Sequence, residues 1–160
     1  MLFRSAEDAN GPISILVANA GAAQSAPFLK TAPYDFRRMF EVNTLGVVHA
    51  AQAVLKGMVE RKFGRIIAVA SIAGLKGFGY VSAYVAAKHA TVGLVRSLAL
   101  ETAKTGVTVN ALCPGYTDTD LVGESLDKIN KATGRSREEA LAALLKDSPL
   151  GRLITPEEVA

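Results

Sequence analysis

Tyr84 and Lys88 stand four residues apart in Tyr84-Val85-Ala86-Ala87-Lys88. On a helix that spacing places both side chains on one face, one above the other. A phenol titrates near ~10, so at neutral pH only about one in a thousand is ionised. An ammonium close by favours the phenolate. A tyrosine tuned in this way can give or take a proton at a carbonyl or carbinol oxygen. Ser71, thirteen residues before Tyr84, could offer that same oxygen a second hydrogen bond. A Tyr/Lys pair at this spacing is, taken alone, more often a surface pair than a site. Its weight depends on what else the fold brings beside it.

The surrounding pattern alternates between two periods. Ile13–Ala18, Arg65–Ala70 and Val107–Leu112 are short apolar runs that stop at Asn19-Ala20-Gly21, at Ser71 and at Cys113-Pro114-Gly115. Runs of this kind predict strands of a parallel sheet covered on both faces. Helical spacing fills the gaps. One stretch opens near Thr31, read as an N-cap with Pro33 and Asp35 in the first turn, and continues to about Arg61. Another runs from about Ser82 to Lys104 and ends at Gly106, a position suited to a left-handed cap. After Gly115 the pattern loosens into Asp/Gly-rich turns, then a helix over Arg137–Lys146 and a helix start at Thr155-Pro156-Glu157-Glu158. Strand and helix in alternation predict an α/β fold, a doubly wound parallel sheet with three central strands and flanking helices. Such sheets bind ligands at the carboxyl ends of their strands. Here all three ends carry polar or conformationally special residues, and Ser71 is one of them.

Composition narrows the classes. The chain has 160 residues, 18 Lys+Arg against 15 Asp+Glu, and is 49% hydrophobic. That supports one domain with a real core and excludes disorder. The basic residues Arg37, Arg38, Arg65, Arg96, Lys128 and Arg152 are scattered, so no nucleic-acid surface is expected. No apolar run reaches the ~20 residues of a membrane span, and the opening lacks a secretory segment. A single cysteine, Cys113, and two histidines, His49 and His89, form neither an internal disulfide nor a metal set. A cytoplasmic protein without metal is the expectation. Cys113 reads as an inert small hydrophobe, and the histidines as helix-face residues. Arg37 and Arg38 read as a solvated face with Asp35 and Glu41 as possible partners.

The motifs together resemble the short-chain dehydrogenase/reductase family in its single-domain Rossmann form. They are Asn19-Ala20-Gly21 after a strand, Asn43 in Phe40-Glu41-Val42-Asn43-Thr44, Ser71, Ser82-Ala83-Tyr84-Val85-Ala86-Ala87-Lys88, and Pro114-Gly115-Tyr116-Thr117-Asp118-Thr119. The resemblance runs from about Ile13 to Ala160. It implies hydride transfer between NAD or NADP and a ketone or secondary alcohol. Tyr84 would be the acid/base. Lys88 would lower the Tyr84 pKa and hold the cofactor's ribose hydroxyls, and Ser71 would orient the substrate oxygen. Asn43 would interrupt its helix and hold a water linking Lys88 to solvent, although without the other motifs it would read as bonding a neighbouring turn. Asn19, Ala20 and Gly21 would pack beside the adenosine, and Pro114, Gly115, Thr117 and Thr119 would meet the nicotinamide.

The departures matter as well. No counterpart exists to the family's glycine-rich phosphate turn, nor to the residue that selects NAD or NADP. Residues 1–160 therefore read as one partial domain, with three strands absent upstream and one downstream, and the leader Met1–Arg4 as unlike a natural continuation. Such a fragment alone is expected to be inactive, marginally soluble and unable to bind nicotinamide. A serine hydrolase fails on sequence, since Val69-Ala70-Ser71-Ile72-Ala73 lacks both glycines of a nucleophile elbow. A catalytically inactive, dehydrogenase-like binding module is the non-enzymatic alternative.

For the substrate pocket, Ile72, Leu75, Phe78, Tyr80, Tyr116, Leu121, Val122 and Leu126 offer an apolar lining. The stretches Tyr84–His89 and Cys113–Val122 are similar to the 3-hydroxybutyrate dehydrogenase branch. Ala73 and Val81 stand where that branch has His and Lys, which turns the expectation from a free carboxylate towards a 3-oxoacyl thioester or other neutral ketone. Val47, Ala51, Leu55, Ala90, Leu94 and Leu98 are read as a face left over for a homodimer or homotetramer.

Overall fold

The computed structural model describes residues 2–146 and 148–160, so Met1 of the Met1–Arg4 leader lies outside them. The chain divides into two compact units, Met1–Cys113 and Pro114–Ala160.

The first unit holds the sheet. Strands β1 (Ile15–Ala18), β2 (Gly64–Val69) and β3 (Val107–Leu112) lie parallel in the order β1-β2-β3, with Ala18 opposite Ala68 and Ala68 opposite Ala111. The expected strands are therefore present, each shifted by at most two residues. The ladder also reaches past them, since the Arg65 amide donates to the Ser14 carbonyl and the Ala70 amide to that of Leu112. Helices α1 (Leu2–Asn10), α2 (Pro33–Phe40), α3 (Gly46–Glu60) and α4 (Ser82–Thr102) complete the unit. The core sits between the sheet and α3 and α4, around Leu16, Val54, Met58, Ile66, Ala68, Val95 and Val109. The sheet is unequally covered: Leu16 is buried, whereas Ile15 and Val17 on the other face of β1 are 61% and 55% exposed.

Two expectations need correction. Thr31 does not cap α2: its hydroxyl donates to the Pro27 carbonyl. Ala32 is the cap residue, and the Asp35 carboxylate accepts its backbone N–H at 2.8 Å. The long helix read from Thr31 to Arg61 is also interrupted, at Asn43 where the resemblance implies a break, by a π turn over Glu41–Leu45 that separates α2 from α3. At the end of α4, the helix stops at Thr102, and Gly106 lies in the turn that follows. Gly106 has φ +82°, and a side chain there would run into the Lys62 carbonyl, so only glycine suits the turn into β3.

The second unit is helical. It contains α5 (Asp120–Thr133), α6 (Arg137–Leu145) and α7 (Pro156–Val159), with one parallel bridge between Thr117 and Ile154. Helix α5 replaces the turns expected after Gly115. Its Val122, Leu126 and Ile129 recur at helical spacing and pack with Ala140 of α6. Gly134, at φ +71°, ends it in the left-handed conformation. Ser136 and Glu139 cap α6 reciprocally, as Thr155 and Glu158 cap α7. Among the described residues no helix is long and apolar enough to cross a membrane, and no group of His, Cys, Asp or Glu could hold a metal ion.

Candidate active site

The ends of β1 and β2 and the first turns of α4 bring Gly21, Asn43, Ser71, Tyr84 and Lys88 together in the first unit. Lys88 is 4% exposed, and its ammonium donates to the Val69 carbonyl at the end of β2, at 2.9 Å. It lies over the Tyr84 ring, 5.7 Å from the centroid. With Lys88 buried and Tyr84 half-buried, the Tyr/Lys pair is not a surface pair. Burial pushes the Lys88 ammonium down to about 8, and the nearby Cys113 side chain pulls it partway back. Cys113, expected to be inert, is half-buried and belongs to the electrostatic surroundings of Lys88.

Ser71 is held by its own turn. Its Oγ accepts from the Ala73 amide at 3.1 Å, capping a 3-10 turn over Ile72–Gly74. With that acceptor position used, the hydroxyl proton remains to be donated. Tyr84 shares a side-chain hydrogen bond with Ser71, which lowers its pKa, but burial is the larger effect and leaves the phenol above its ordinary value near 10. The expected lowering by Lys88 is not what sets this phenol. Gly74 closes the turn onto α4, where a Cβ would stand 2.7 Å from the Lys88 carbonyl oxygen.

Asn43 sits in the middle of the π turn and is 1% exposed. Its amide clasps the backbone of Ala22 in both directions: Oδ1 accepts from Ala22 N at 3.2 Å, and Nδ2 donates to Ala22 O at 2.9 Å. Nδ2 also reaches the Met39 carbonyl at 3.0 Å, so the simple local bond is present as well. The segment after β1 is thereby pinned. A Cβ on Gly21 would approach Asn43 Oδ1 to 3.0 Å and Lys88 Nζ to 3.6 Å, so glycine keeps the approach to both groups open. Asn19, Ala20 and Gly21 are all exposed.

Pro114, Gly115, Thr117 and Thr119 lie in the second unit, on one loop that leads into α5. Thr117 pairs with Ile154, and its hydroxyl donates to Gly115 O at 3.3 Å; Thr119 immediately precedes α5. Of the expected pocket lining, Val122 and Leu126 are buried in that unit's own core, which removes them from the lining. Leu75 and Tyr80 are exposed, Tyr80 with φ +65°. His89 bonds the Val85 carbonyl on its helix face, as expected. Asp35 does not pair with Arg37 or Arg38; it holds Ala32 N and the Gln24 amide.

Three polar residues near the site had no signal in the sequence. Gln24 donates to Asp35 Oδ1 at 2.8 Å, which turns its own Oε1 inward, buried without a partner. Thr44 and Thr91 are fully buried and bond the backbone beside Asn43 and Lys88. Threonines at helical spacing among apolar residues look like ordinary core positions, and nothing in their type announced them.

The sequence model described as short chain dehydrogenase matches residues 1–130. The chain is 38% identical over 152 residues to a putative ketoacyl reductase of Streptomyces coelicolor, covering 94% of this chain and 58% of that protein. It is 39% identical over 159 residues to the D-beta-hydroxybutyrate dehydrogenase of Cupriavidus necator, covering 99% of this chain and 62% of that one. Its fold is similar to the crystal structure of an F189W actinorhodin polyketide ketoreductase with NADPH, with a TM-score of 0.92 and 36% identity, covering 99% of this chain and 61% of that chain. The chain thus spans about three fifths of the length of these relatives.

Proposed function

We propose that this chain, which belongs to the short-chain dehydrogenase family, carries the proton-transferring side of a nicotinamide-dependent interconversion of a ketone and a secondary alcohol. The observation that carries the proposal is the buried Lys88 ammonium over the Tyr84 ring, with the Ser71 hydroxyl near the phenol and Asn43 and Gly21 beside Lys88. Asn19, Ala20, Gly21, Tyr84 and Lys88 of the first unit would hold NAD or NADP; Pro114, Gly115, Thr117 and Thr119 are candidate nicotinamide contacts by the family resemblance. The open approach kept by Gly21 and the cationic donor behind it suit a polyhydroxylated, anionic group. That cofactor supplies the hydride when bound.

The protein's own part is positioning and proton transfer. Ser71, its hydroxyl aimed by the Ala73 amide, turns its one proton from the phenol to the substrate oxygen when substrate enters. Tyr84, kept protonated by burial, gives its proton to that oxygen as negative charge develops there. The Lys88 ammonium then stabilises the phenolate left behind, in a site where little water competes. Asn43 fixes the segment carrying Gly21 against Lys88.

Ala73 is buried in the turn after Ser71 and Val81 precedes α4, so neither position offers a carboxylate a cation or a hydrogen-bond donor from its side chain. A 3-oxoacyl thioester or another neutral ketone fits better than a free 3-oxo acid. The partner is a second copy, as a homodimer or homotetramer, through the apolar groove between α3 and α4 that Leu55, Leu94 and Leu98 line. Val47 and Ala51 line the same groove from its buried floor, where they belong to the core.

Reduced-nicotinamide consumption by the full-length protein tests the reaction. Turnover with a 3-oxoacyl thioester and little with the corresponding free acid is expected. Preference for the free acid would overturn the substrate class, and no turnover with any ketone or alcohol would overturn the reaction.

A further inference from the structure

Two buried hydroxyls join the π turn before α3 to α4. Thr44 Oγ1 donates to the Ala87 carbonyl at 2.9 Å, and Thr91 Oγ1 to the Asn43 carbonyl at 2.9 Å. The two oxygens are 3.4 Å apart. Thr91 also lies 3.0 Å from Ala87 O, four residues back on its own helix, which is the bond a helical threonine ordinarily makes. Each hydroxyl has one proton. With Thr44's proton on Ala87 O, Thr91's is directed across the interface to Asn43 O.

The pairing is reciprocal. Thr44 follows Asn43 and grips the residue before Lys88; Thr91, one turn after Lys88, grips Asn43 itself. Thr91 is 0% and Thr44 4% exposed, so water does not compete for either bond. A π turn is a local irregularity in a helix, and such turns persist where surrounding contacts hold them. Here the contacts that hold it are the same ones that set its distance from α4.

We propose that Thr44 and Thr91 are positioning residues: their crossed hydrogen bonds set where the Asn43 amide stands relative to Lys88, and so hold the Ala22 segment and Gly21 in place. This rests on the reaction proposed above for its kinetic consequence, but the positional part can be read without any activity. The Ala22 amide is bonded to Asn43 Oδ1, so its hydrogen exchange reports whether Asn43 is in place.

The test uses Thr91→Val, which keeps the shape and removes the hydroxyl, together with Thr91→Ser, which restores it. In Thr91→Val the Ala22 amide should exchange ~10-fold faster or more, while the amides of β2 and β3 keep their rates. The kcat should fall by about 10-fold with KM within ~2-fold, and Thr91→Ser should recover both readouts. Purely structural hydroxyls would lower the melting temperature and leave kcat and the Ala22 amide unchanged; that result overturns the proposal. Should Thr91→Val fail to fold, Thr44→Val reads the same clamp from its other side, with the same expectation and the same overturning result. An absence of hydride transfer in the unaltered protein would strike the proposed reaction alone, because the Ala22 exchange result would stand.

Discussion

Polar side chains are used differently in the two units. In Met1–Cys113 they reach far along the chain: Asn43 bonds Ala22, 21 residues away, Lys88 bonds Val69, 19 away, and Thr91 bonds Asn43, 48 away. In Pro114–Ala160 the capping bonds are local, Ser136 with Glu139 and Thr155 with Glu158, each three residues apart. Its core is a cluster of three buried side chains, Val122, Leu126 and Ala140. Long-range bonds exist only when the whole unit is folded, so geometry there is all-or-none. Local caps form wherever their helix forms and fix little beyond it. The first arrangement suits groups that must hold one geometry for chemistry. The second suits a segment that can change without disturbing them.

The contrast is sharpest where one atom carries the chemistry. Tyr84→Phe removes the phenolic oxygen and nothing else, and kcat should drop ~10²-fold or more, with a much smaller loss of cofactor affinity. Steady-state kinetics with a cofactor titration measure both, and near-normal turnover would remove Tyr84 from the proton-transfer role.

Next in size is Gly74→Ala. The new Cβ would meet the Lys88 carbonyl at 2.7 Å and Val92 at 2.9 Å, so the turn carrying Ser71 must shift from α4. A displaced Ser71 should cost about 10-fold in kcat, with ~1–3 kcal/mol lost in stability from overpacking. A variant as active as the parent in turnover assays would mean that the first unit tolerates more movement than its bonds suggest.

A pH experiment separates buried from exposed charge. Lys88 titrates at about 8 in the folded chain against an ordinary 10.5, so between those values the unfolded chain binds more protons. Stability relative to Lys88→Met should therefore rise as pH increases from about 8 to about 10.5 and level off above. Denaturant midpoints across that range measure it; a flat difference would mean that the ammonium is better solvated than its burial indicates.

The smallest effect belongs to the second unit. The exposed Glu158 carboxylate, paired with Arg152, is held down at about 2. Any stability that it gives is present above the ordinary 4.5 and is lost as pH falls from there towards 2. Glu158→Gln should leave kcat unchanged and move the melting temperature little, since exposed pairs contribute little. A large loss of activity would show that the local caps reach further than they do here.

Much of the first unit was legible. β-Branched runs ending at Asn19, Ser71 and Cys113 placed the strands within two residues, and the Tyr84/Lys88 spacing placed the pair on one face because helical geometry leaves little choice. Helix α5 was hidden by its composition: Gly123, Ser125, Asn130 and Thr133 suggest turns, and only the spacing of Val122, Leu126 and Ile129 outweighs them. The unequal burial of the sheet could not be read, because Ile15 and Leu16 are equally apolar and only packing distinguishes them. The family resemblance implied the interruption at Asn43, but not its π geometry, since no residue type in Glu41–Leu45 requires one. The Thr44–Thr91 contact joins helices 47 residues apart in sequence, and helical periodicity carries no information at that range.

The π turn has a consequence for how the gene can change. Each residue of a helix turns the chain by about 100°, so the extra residue in Glu41–Leu45 sets the rotational phase between α2 and α3. Deleting a single codon there would let one regular helix form, with no loss of hydrophobic residues from the Val47–Met58 face. The face carrying Asn43 would then swing away from Ala22 while α3 kept its seat on the sheet. An in-frame deletion could thus preserve the fold and abolish the site, whereas most point substitutions in the same five residues would leave the phase untouched.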